Sequence, residues 1–196
     1  MNQLAAIVDE YIRDHQDGAD REQRWFAIQR DLRSAVEVAA LAQSPGGKRL
    51  SHQWRIPGRV LQESHRRLIQ KLPELKKARS FDAIFDLVAA TIDPIRGIGE
   101  LAVYDTAVRI AAYLGLEPDK VYLHAGTRKG ARRLGLSASV PYLEVSQLPT
   151  EFRRLKPREI EDVLCIYKHR FGAGMGKPGP ARGRSSCGVE TKGSIC

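Results

Sequence analysis

The turn Pro94-Ile95-Arg96-Gly97-Ile98-Gly99 has the residue types and spacing needed to bind a phosphate group. Its two glycines permit a sharp turn with exposed backbone, and Ile98 between them can fill the gap between two flanking helices. The first N–H groups of a helix that follows Gly99 have no acceptor inside that helix and carry partial positive charge. We therefore predict that Gly97, Ile98 and Gly99 bind the phosphates of a nucleic acid without reading its base sequence.

Two clusters of positive charge accompany this turn. Residues 45–80 contain 10 Lys and Arg against 2 Asp and Glu, and residues 120–136 contain 5 against none, whereas residues 1–44 and 81–119 are acidic. Clustered cations favour a polyanionic ligand over an evenly solvated surface. The predicted DNA contacts in the two clusters are Lys48, Arg49, Arg55, Thr127, Arg128, Lys129, Arg132 and Arg133. Trp54, among the first set of cations, is suited to stacking on a base or to wedging a duplex, or else to a place in the core.

Acid–base chemistry near the turn has two candidates, His124 and Asp119. His124 precedes the second basic cluster and could carry a proton or orient a water molecule near neutral pH. A histidine that merely satisfies the start of a helix is the structural alternative. Asp119 lies 20 residues after Gly99, but aspartate is also common in turns such as Glu117-Pro118-Asp119 for local reasons. Asp105 is expected to pair with Arg109 four residues later on a helix.

Apolar residues at helical spacing predict the elements that position these groups. A helix beginning after Ser80 ends at Asp93-Pro94, a nearly buried helix runs from Glu100 to Leu114, and Thr127 to Leu134 form a short basic helix. The pattern also predicts two N-terminal helices divided at Asp17-Gly18, the second of them continuing to Ala39, and a last helix that runs from Pro157 to Phe171. No stretch of useful length alternates apolar and polar residues as a strand would, so the predicted fold is all-α with about seven helices.

Length and composition restrict the class of protein. The chain of 196 residues, 42% hydrophobic and 28% charged, suits one globular domain. We predict a single domain over residues 1–171 and a disordered, glycine-rich tail over residues 172–196. The net charge of +9 again indicates a polyanionic partner.

Membrane, metal and redox roles have little support in the sequence. No apolar run is long enough for a bilayer span, and acidic residues near the N-terminus do not suit a signal peptide, so we expect a cytoplasmic protein without a membrane partner. Cys165, Cys187 and Cys196 form neither a disulfide framework nor a zinc pattern, and His52 and His65 have no matching ligands. We therefore expect no metal and no cofactor.

One stretch of the chain resembles a known family. Residues 81–136 read FDAIFDLVAATIDPIRGIGELAVYDTAVRIAAYLGLEPDKVYLHAGTRKGARRLGL. This segment resembles the helix-hairpin-helix DNA-binding proteins, and in particular the helix-hairpin-helix base-excision DNA glycosylases. The resemblance implies an all-α glycosylase-like fold with this segment at its core, duplex DNA as the ligand, and hairpin amides on the phosphates.

The catalytic positions of that family are changed in this chain. Where members that also cleave the strand have a lysine nucleophile, this chain has Leu101, which cannot attack a sugar carbon. Where the family has its essential aspartate, this chain has His124. The resemblance thus favours a DNA-binding protein that lacks the usual lyase chemistry, with damaged DNA as a candidate ligand. Two alternatives stay open: an active glycosylase that uses His124 or Asp119 and flips its base, and an accessory protein that binds RNA or an acidic protein.

Overall fold

A computed structural model describes residues 2–50 and 53–172, and these are mostly helical. The α-helices are α1 (Gln3–Tyr11), α2 (Asp17–Ala27), α3 (Leu32–Ala40), α4 (Gly58–Ile69), α5 (Leu72–Lys77), α6 (Phe81–Ile92), α7 (Glu100–Tyr113), α8 (Ala125–Arg133) and α9 (Pro157–Ile166). A π-helical segment, Ile12–Gln16, joins α1 to α2, and two 3-10 turns, Val145–Gln147 and Thr150–Arg154, precede α9.

Two short strands correct the prediction that the chain has none. Strand β1 (Val121–Tyr122) pairs antiparallel with β2 (Tyr142–Leu143), with Val121 opposite Leu143. A strand of two residues is too short to produce a visible alternation in the sequence. The mostly helical character is confirmed, and the small sheet is the exception to it.

The predicted boundaries of the N-terminal helices were wrong. Asp17 and Gly18 lie within helical backbone, because the π-helical segment carries the helix through this point without a break. The break comes later, between α2 and α3, where Asp31 accepts a hydrogen bond from the Ser34 N–H at 2.7 Å and so caps α3. Ile28 lies at helical spacing between Trp25 and Leu32 in the sequence. In the structure it is the C-cap of α2 and is 78% exposed.

Two hydrophobic clusters form the interior. The first cluster contains residues of every helix from α2 through α7, among them Phe26, Leu68 and Ile110. The second joins α1, the two strands, α8 and α9. Strand β1 lies between them, since Val121 belongs to the second cluster and Tyr122 to the first. Because successive strand residues point to opposite faces, two adjacent residues can serve both clusters.

Helices α6 and α7 and the turn between them agree with the sequence prediction. Ser80 caps α6 by accepting from the Ala83 N–H at 3.2 Å, and α6 ends before Asp93-Pro94. Helix α7 begins after Gly99, and Gly115, with φ of 69°, follows its C-terminal end. Most of α7 is buried, in agreement with the nearly buried helix predicted from Glu100 to Leu114.

The last helix is shorter than predicted, because α9 ends at Ile166 rather than Phe171. The predicted tail lies outside the described residues except for Gly172, as do His52, Cys187 and Cys196. None of the helices in the described part of the chain combines the length and the apolar character that a membrane crossing requires.

Candidate nucleic-acid interface and the adjoining cleft

The turn between α6 and α7 is exposed to solvent. Gly97 has a φ of 105°, a conformation that glycine adopts without strain, and both Gly97 and Gly99 are exposed. The Ile98 N–H donates to the Ile95 carbonyl at 2.9 Å, and the Ile98 side chain is half-buried against the first cluster. Gly99 is the N-cap of α7, so the free amides of the first turn of that helix begin at the turn.

Residues 53–60, here named the strap, fasten the start of α4 to the hairpin and α7. At one end, Gln53 donates to an Asp105 carboxylate oxygen at 2.8 Å and accepts from Arg109 at 3.0 Å. At the other end, Val60 lies against the hairpin, because a Cβ atom on Gly97 would come within 3.5 Å of it. The strap therefore lies beside the first half of α7.

Trp54 and Arg55 occupy the exposed middle of the strap. The Trp54 side chain is 64% exposed, so it is not part of the core. The Arg55 guanidinium lies 5.3 Å from the centre of the Trp54 ring. Arg49 donates to the Ile56 carbonyl at 2.6 Å, which uses part of its guanidinium to hold the strap, and Lys48 is exposed beside it.

Helix α8 lies on another side of the hairpin. Arg128 approaches the Glu100 carboxylate at 3.4 Å, and Glu100 is the first residue of α7. The same guanidinium donates to the Val140 carbonyl at 2.7 Å, so Arg128 mainly connects elements of the protein. Lys129 and Arg132 are exposed on α8. Arg133 is exposed as well and donates one hydrogen bond, to the His169 carbonyl.

His124 is the N-cap of α8 and is 3% exposed. Its Nδ1 accepts from the Gly126 N–H at 3.2 Å, and its Nε2 contacts a carboxylate oxygen of Glu161. The Thr127 hydroxyl accepts from the His124 N–H at 2.7 Å, which completes a capping box. Thr127 is fully buried, so its hydroxyl does not face outward.

Asp119 is exposed in the turn between α7 and β1, apart from His124. The next residue, Lys120, binds the Asp82 carboxylate at 2.6 Å. The structure thus does not bring the two predicted acid–base candidates together.

A cleft of about 280 Å³ opens between α2, α7 and α9. Four acids line it together with Leu101: Glu22, Asp105, Glu161 and Asp162. Asp105 pairs with Arg109 at 3.4 Å, which confirms the predicted pair. Arg109 and Arg158 also line this cleft and are almost fully buried, so the cleft holds both signs of charge.

Asp162 is an acid of the cleft whose pKa is raised. Burial, and then the neighbouring negative charge of Glu161, raise the pKa of Asp162 to about 7. The Tyr11 hydroxyl donates to Asp162 at 2.8 Å and partly opposes this rise. Asp162 therefore lies close to its protonation midpoint near neutral pH.

The sequence analysis did not select Glu161 or Asp162 as site residues, and it considered Cys165 but found no metal pattern around it. All three residues lie on α9, and Glu161 is 37 positions from His124 along the chain. The only sequence signal was an i, i+4 spacing of Glu161 and Cys165 beside the apolar row of that helix, which many surface helices share.

A second cavity, of about 180 Å³, lies on the other side of Tyr104 and is bounded by His124 and Arg128. Tyr104 lines both cavities, and its buried hydroxyl has no hydrogen-bond partner among the residues that the structure describes. Comparison of the chain with models of protein families, with curated proteins and with solved structures gives no match.

Proposed function

We propose that this protein binds duplex DNA through the phosphate backbone, using a helix-hairpin-helix unit on a glycosylase-like scaffold. The observation that carries the proposal is the position of the strap. It presents an exposed tryptophan and arginine beside an exposed hairpin, at the free amides of a helix N-terminus. Backbone amides and cations bind phosphates, whereas an exposed aromatic ring can stack on an unpaired base.

The exposed cations support a contact surface that extends beyond the hairpin. The proposed surface consists of Gly97, Ile98, Gly99, Lys48, Trp54, Arg55, Lys129, Arg132 and Arg133. The ion pair between Arg128 and Glu100 brings α8 next to the hairpin, and the contact between Val60 and Gly97 does the same for α4. One residue from each basic segment, Val60 and Arg128, therefore contacts the hairpin or the start of α7.

The test is fluorescence anisotropy of the full chain on an intact duplex and on the same duplex with a stable abasic analogue, across a salt series. We expect affinity to fall steeply with salt, because cations on the protein displace counterions from the phosphates. A preference for the abasic duplex would support recognition of damaged DNA. Salt-dependent binding without such a preference would leave a general DNA-binding function.

A charge-matched pair of variants locates the surface. Arg55→Ala is expected to weaken binding and to reduce the salt slope by about one unit. Arg153→Ala removes the same charge from an exposed position in the 3-10 turn before α9 and is expected to leave binding unchanged. If both variants bind like the wild type, or if neither duplex is bound, the proposal is wrong. Binding of single-stranded RNA or of an acidic protein instead would identify the accessory role.

Base excision is the second candidate function, and the acid-lined cleft favours it. A glycosylase needs a pocket that accepts a flipped base and a carboxylate that stabilises the developing positive charge on the sugar. Asp105 lies in such a cleft with its side chain 14% exposed, next to the strap. His124 is a less suitable group, since both of its ring nitrogens already have partners.

Release of free base from duplexes that contain uracil, hypoxanthine or 8-oxoguanine tests this second candidate. If the enzyme is active, Asp105→Asn should abolish release, while His124→Ala should retain it in the fraction of protein that stays folded. Loss of release in a folded His124→Ala variant would assign the catalytic role to His124 instead. No release from any of these duplexes at high enzyme concentration would reject excision for these bases and leave the binding function.

A further inference from the structure

We propose that His124, Glu161 and Cys165 form a binding site for a divalent transition-metal ion of the Zn²⁺ type. One ring nitrogen, one carboxylate oxygen and one thiol sulfur lie within 4.8 Å of one another. Ligands that share a zinc ion at about 2.0–2.3 Å lie a few ångströms apart, so small side-chain rotations would admit the ion. The combination of nitrogen and sulfur favours zinc or cobalt over magnesium or calcium, which prefer oxygen ligands only.

The backbone around the three ligands is held firmly. His124 starts α8 and is fixed by the capping box with Thr127, whereas Glu161 and Cys165 lie one turn apart on α9. Gly126 leaves room for the thiol, since a Cβ atom there would come within 2.6 Å of the Cys165 sulfur. A metal ion at this point would connect the start of α8 to the middle of α9.

The site also has a route for entry and space for a further ligand. Glu161 and Cys165 line the cleft of about 280 Å³, and His124 lines the cavity on the other side of Tyr104. Three protein ligands leave a fourth tetrahedral position for water or another group. Within residues 2–50 and 53–172 the buried Tyr104 hydroxyl finds no hydrogen-bond partner, and the Tyr104 ring centre lies 6.3 Å from that of His124. A polar group next to the site therefore lacks the partner that buried hydroxyls normally have.

Metal binding would exchange the two hydrogen bonds of the His124 ring for coordination, and the Cys165 thiol would release its proton to solvent. In the structure Nδ1 of His124 accepts a hydrogen bond from the Gly126 N–H, so Nε2 carries the ring proton and donates a hydrogen bond to Glu161. Coordination through Nε2 places that proton on Nδ1. Nδ1 can then no longer accept a hydrogen bond from the Gly126 N–H. These two hydrogen bonds contribute less than three metal–ligand bonds, so the exchange favours the ion. It also gives the site a signature at the Gly126 amide.

Cobalt(II) titration of the full chain, prepared free of metal and reduced, tests the proposal. We expect saturation at one ion per chain, with thiolate-to-cobalt absorption in the near ultraviolet and visible bands of a tetrahedral ion. Zinc should displace the cobalt. Cys165→Ser should remove the thiolate absorption, and Glu161→Gln should weaken binding by about tenfold or more, as loss of a ligand or its support does elsewhere.

The other two cysteines provide the matched control. Cys187→Ser combined with Cys196→Ser should keep the full spectrum, because the proposed site uses Cys165 alone. If this double variant loses the absorption and Cys165→Ser keeps it, the site is wrong. Circular dichroism of each variant identifies any that fails to fold.

A second measurement does not depend on cysteine variants. In NMR spectra of the wild-type chain, zinc should shift the Gly126 amide and the His124 ring signals and should raise the unfolding temperature. Absence of cobalt absorption together with an unshifted Gly126 amide at millimolar zinc would overturn the proposal. None of these measurements involves DNA, so their outcome is independent of the proposed binding function.

Discussion

Gly130 on α8 lies directly against the backbone of Leu164 on α9. A Cβ atom at residue 130 would come within 2.9 Å of the Leu164 carbonyl carbon, closer than real Cβ atoms approach such an atom. Gly126 lies one turn earlier on the same face, and a Cβ atom there would come within 2.6 Å of the side-chain sulfur of Cys165. The two glycines therefore let α8 and α9 pack at a short distance, which brings His124 within reach of Glu161.

Gly130→Ala should destabilise the protein. The new methyl group meets backbone rather than a flexible side chain, so the two helices must separate, and overpacking of this kind costs about 1–3 kcal/mol. Urea unfolding followed by circular dichroism measures the loss. Gly18→Ala is the matched control, since its Cβ atom would meet nothing nearer than 4.0 Å in α2. We expect that variant to gain about 0.5–1 kcal/mol from helix propensity; equal effects of both substitutions would contradict this interpretation.

His124→Ala should lower the free energy of unfolding by about 2–4 kcal/mol. The substitution removes the N-cap of α8, worth about 0.5–2 kcal/mol, and leaves the buried Glu161 carboxylate without its imidazole partner. Thermal and urea denaturation measure the change. His124→Asn should recover the part due to capping, because asparagine is a good N-cap residue. A fully stable His124→Ala protein would show that the cap contributes nothing.

Asp162 should make stability depend on pH between about 4 and 7. Burial raises its pKa to about 7 in the folded protein, whereas an unfolded chain has an ordinary value near 4. The folded state therefore binds the proton more tightly, so this group stabilises the protein at low pH and loses that contribution as the pH rises through 7. Asp162→Asn keeps an acceptor for the Tyr11 hydroxyl and should become more stable relative to the wild type as the pH rises.

Urea unfolding at about pH 5 and about pH 8 tests this dependence on Asp162. Asp31→Asn is the control, because the pKa of Asp31 is shifted in the opposite direction. The Ser34 N–H lowers this pKa, so the Asp31 carboxylate is ionised in both the folded and the unfolded state above about pH 5. The stability difference between this control and the wild type should stay constant over the same window. A constant difference for Asp162→Asn as well would show that Asp162 titrates normally.

Trp54→Ala should weaken DNA binding by roughly fivefold or more without loss of stability. The ring is 64% exposed and makes its cation contact with Arg55, so its removal leaves no cavity in the core. Stacking of one base on an aromatic ring contributes about 1–3 kcal/mol. Ile28→Ala, at a side chain 78% exposed at the end of α2, is the control and should bind normally. Unchanged affinity of the Trp54 variant for the abasic duplex would remove Trp54 from the surface.

The helices nearest the hairpin could be predicted from the sequence because local signals determine them. Ser80 caps α6, the Asp93-Pro94 pair ends it, and Gly99 and Gly115 flank α7, all within a few residues of the element concerned. The break between α2 and α3 had such a signal too, in the Asp31 cap, but the apolar spacing concealed it. Strand β1 had none, since it exists only through pairing with residues 20 positions later.

The residues of the candidate site divide in the same way. The sequence by itself determined the hairpin, the clusters of cations and the identity of His124, since these follow from residue type and near-neighbour spacing. Only the tertiary structure decided that Trp54 is exposed, that both nitrogens of His124 have partners, and that α9 brings Glu161 and Asp162 to the cleft. Those contacts join residues far apart in the chain, and they depend on how closely two helices can pack, which no local pattern reports.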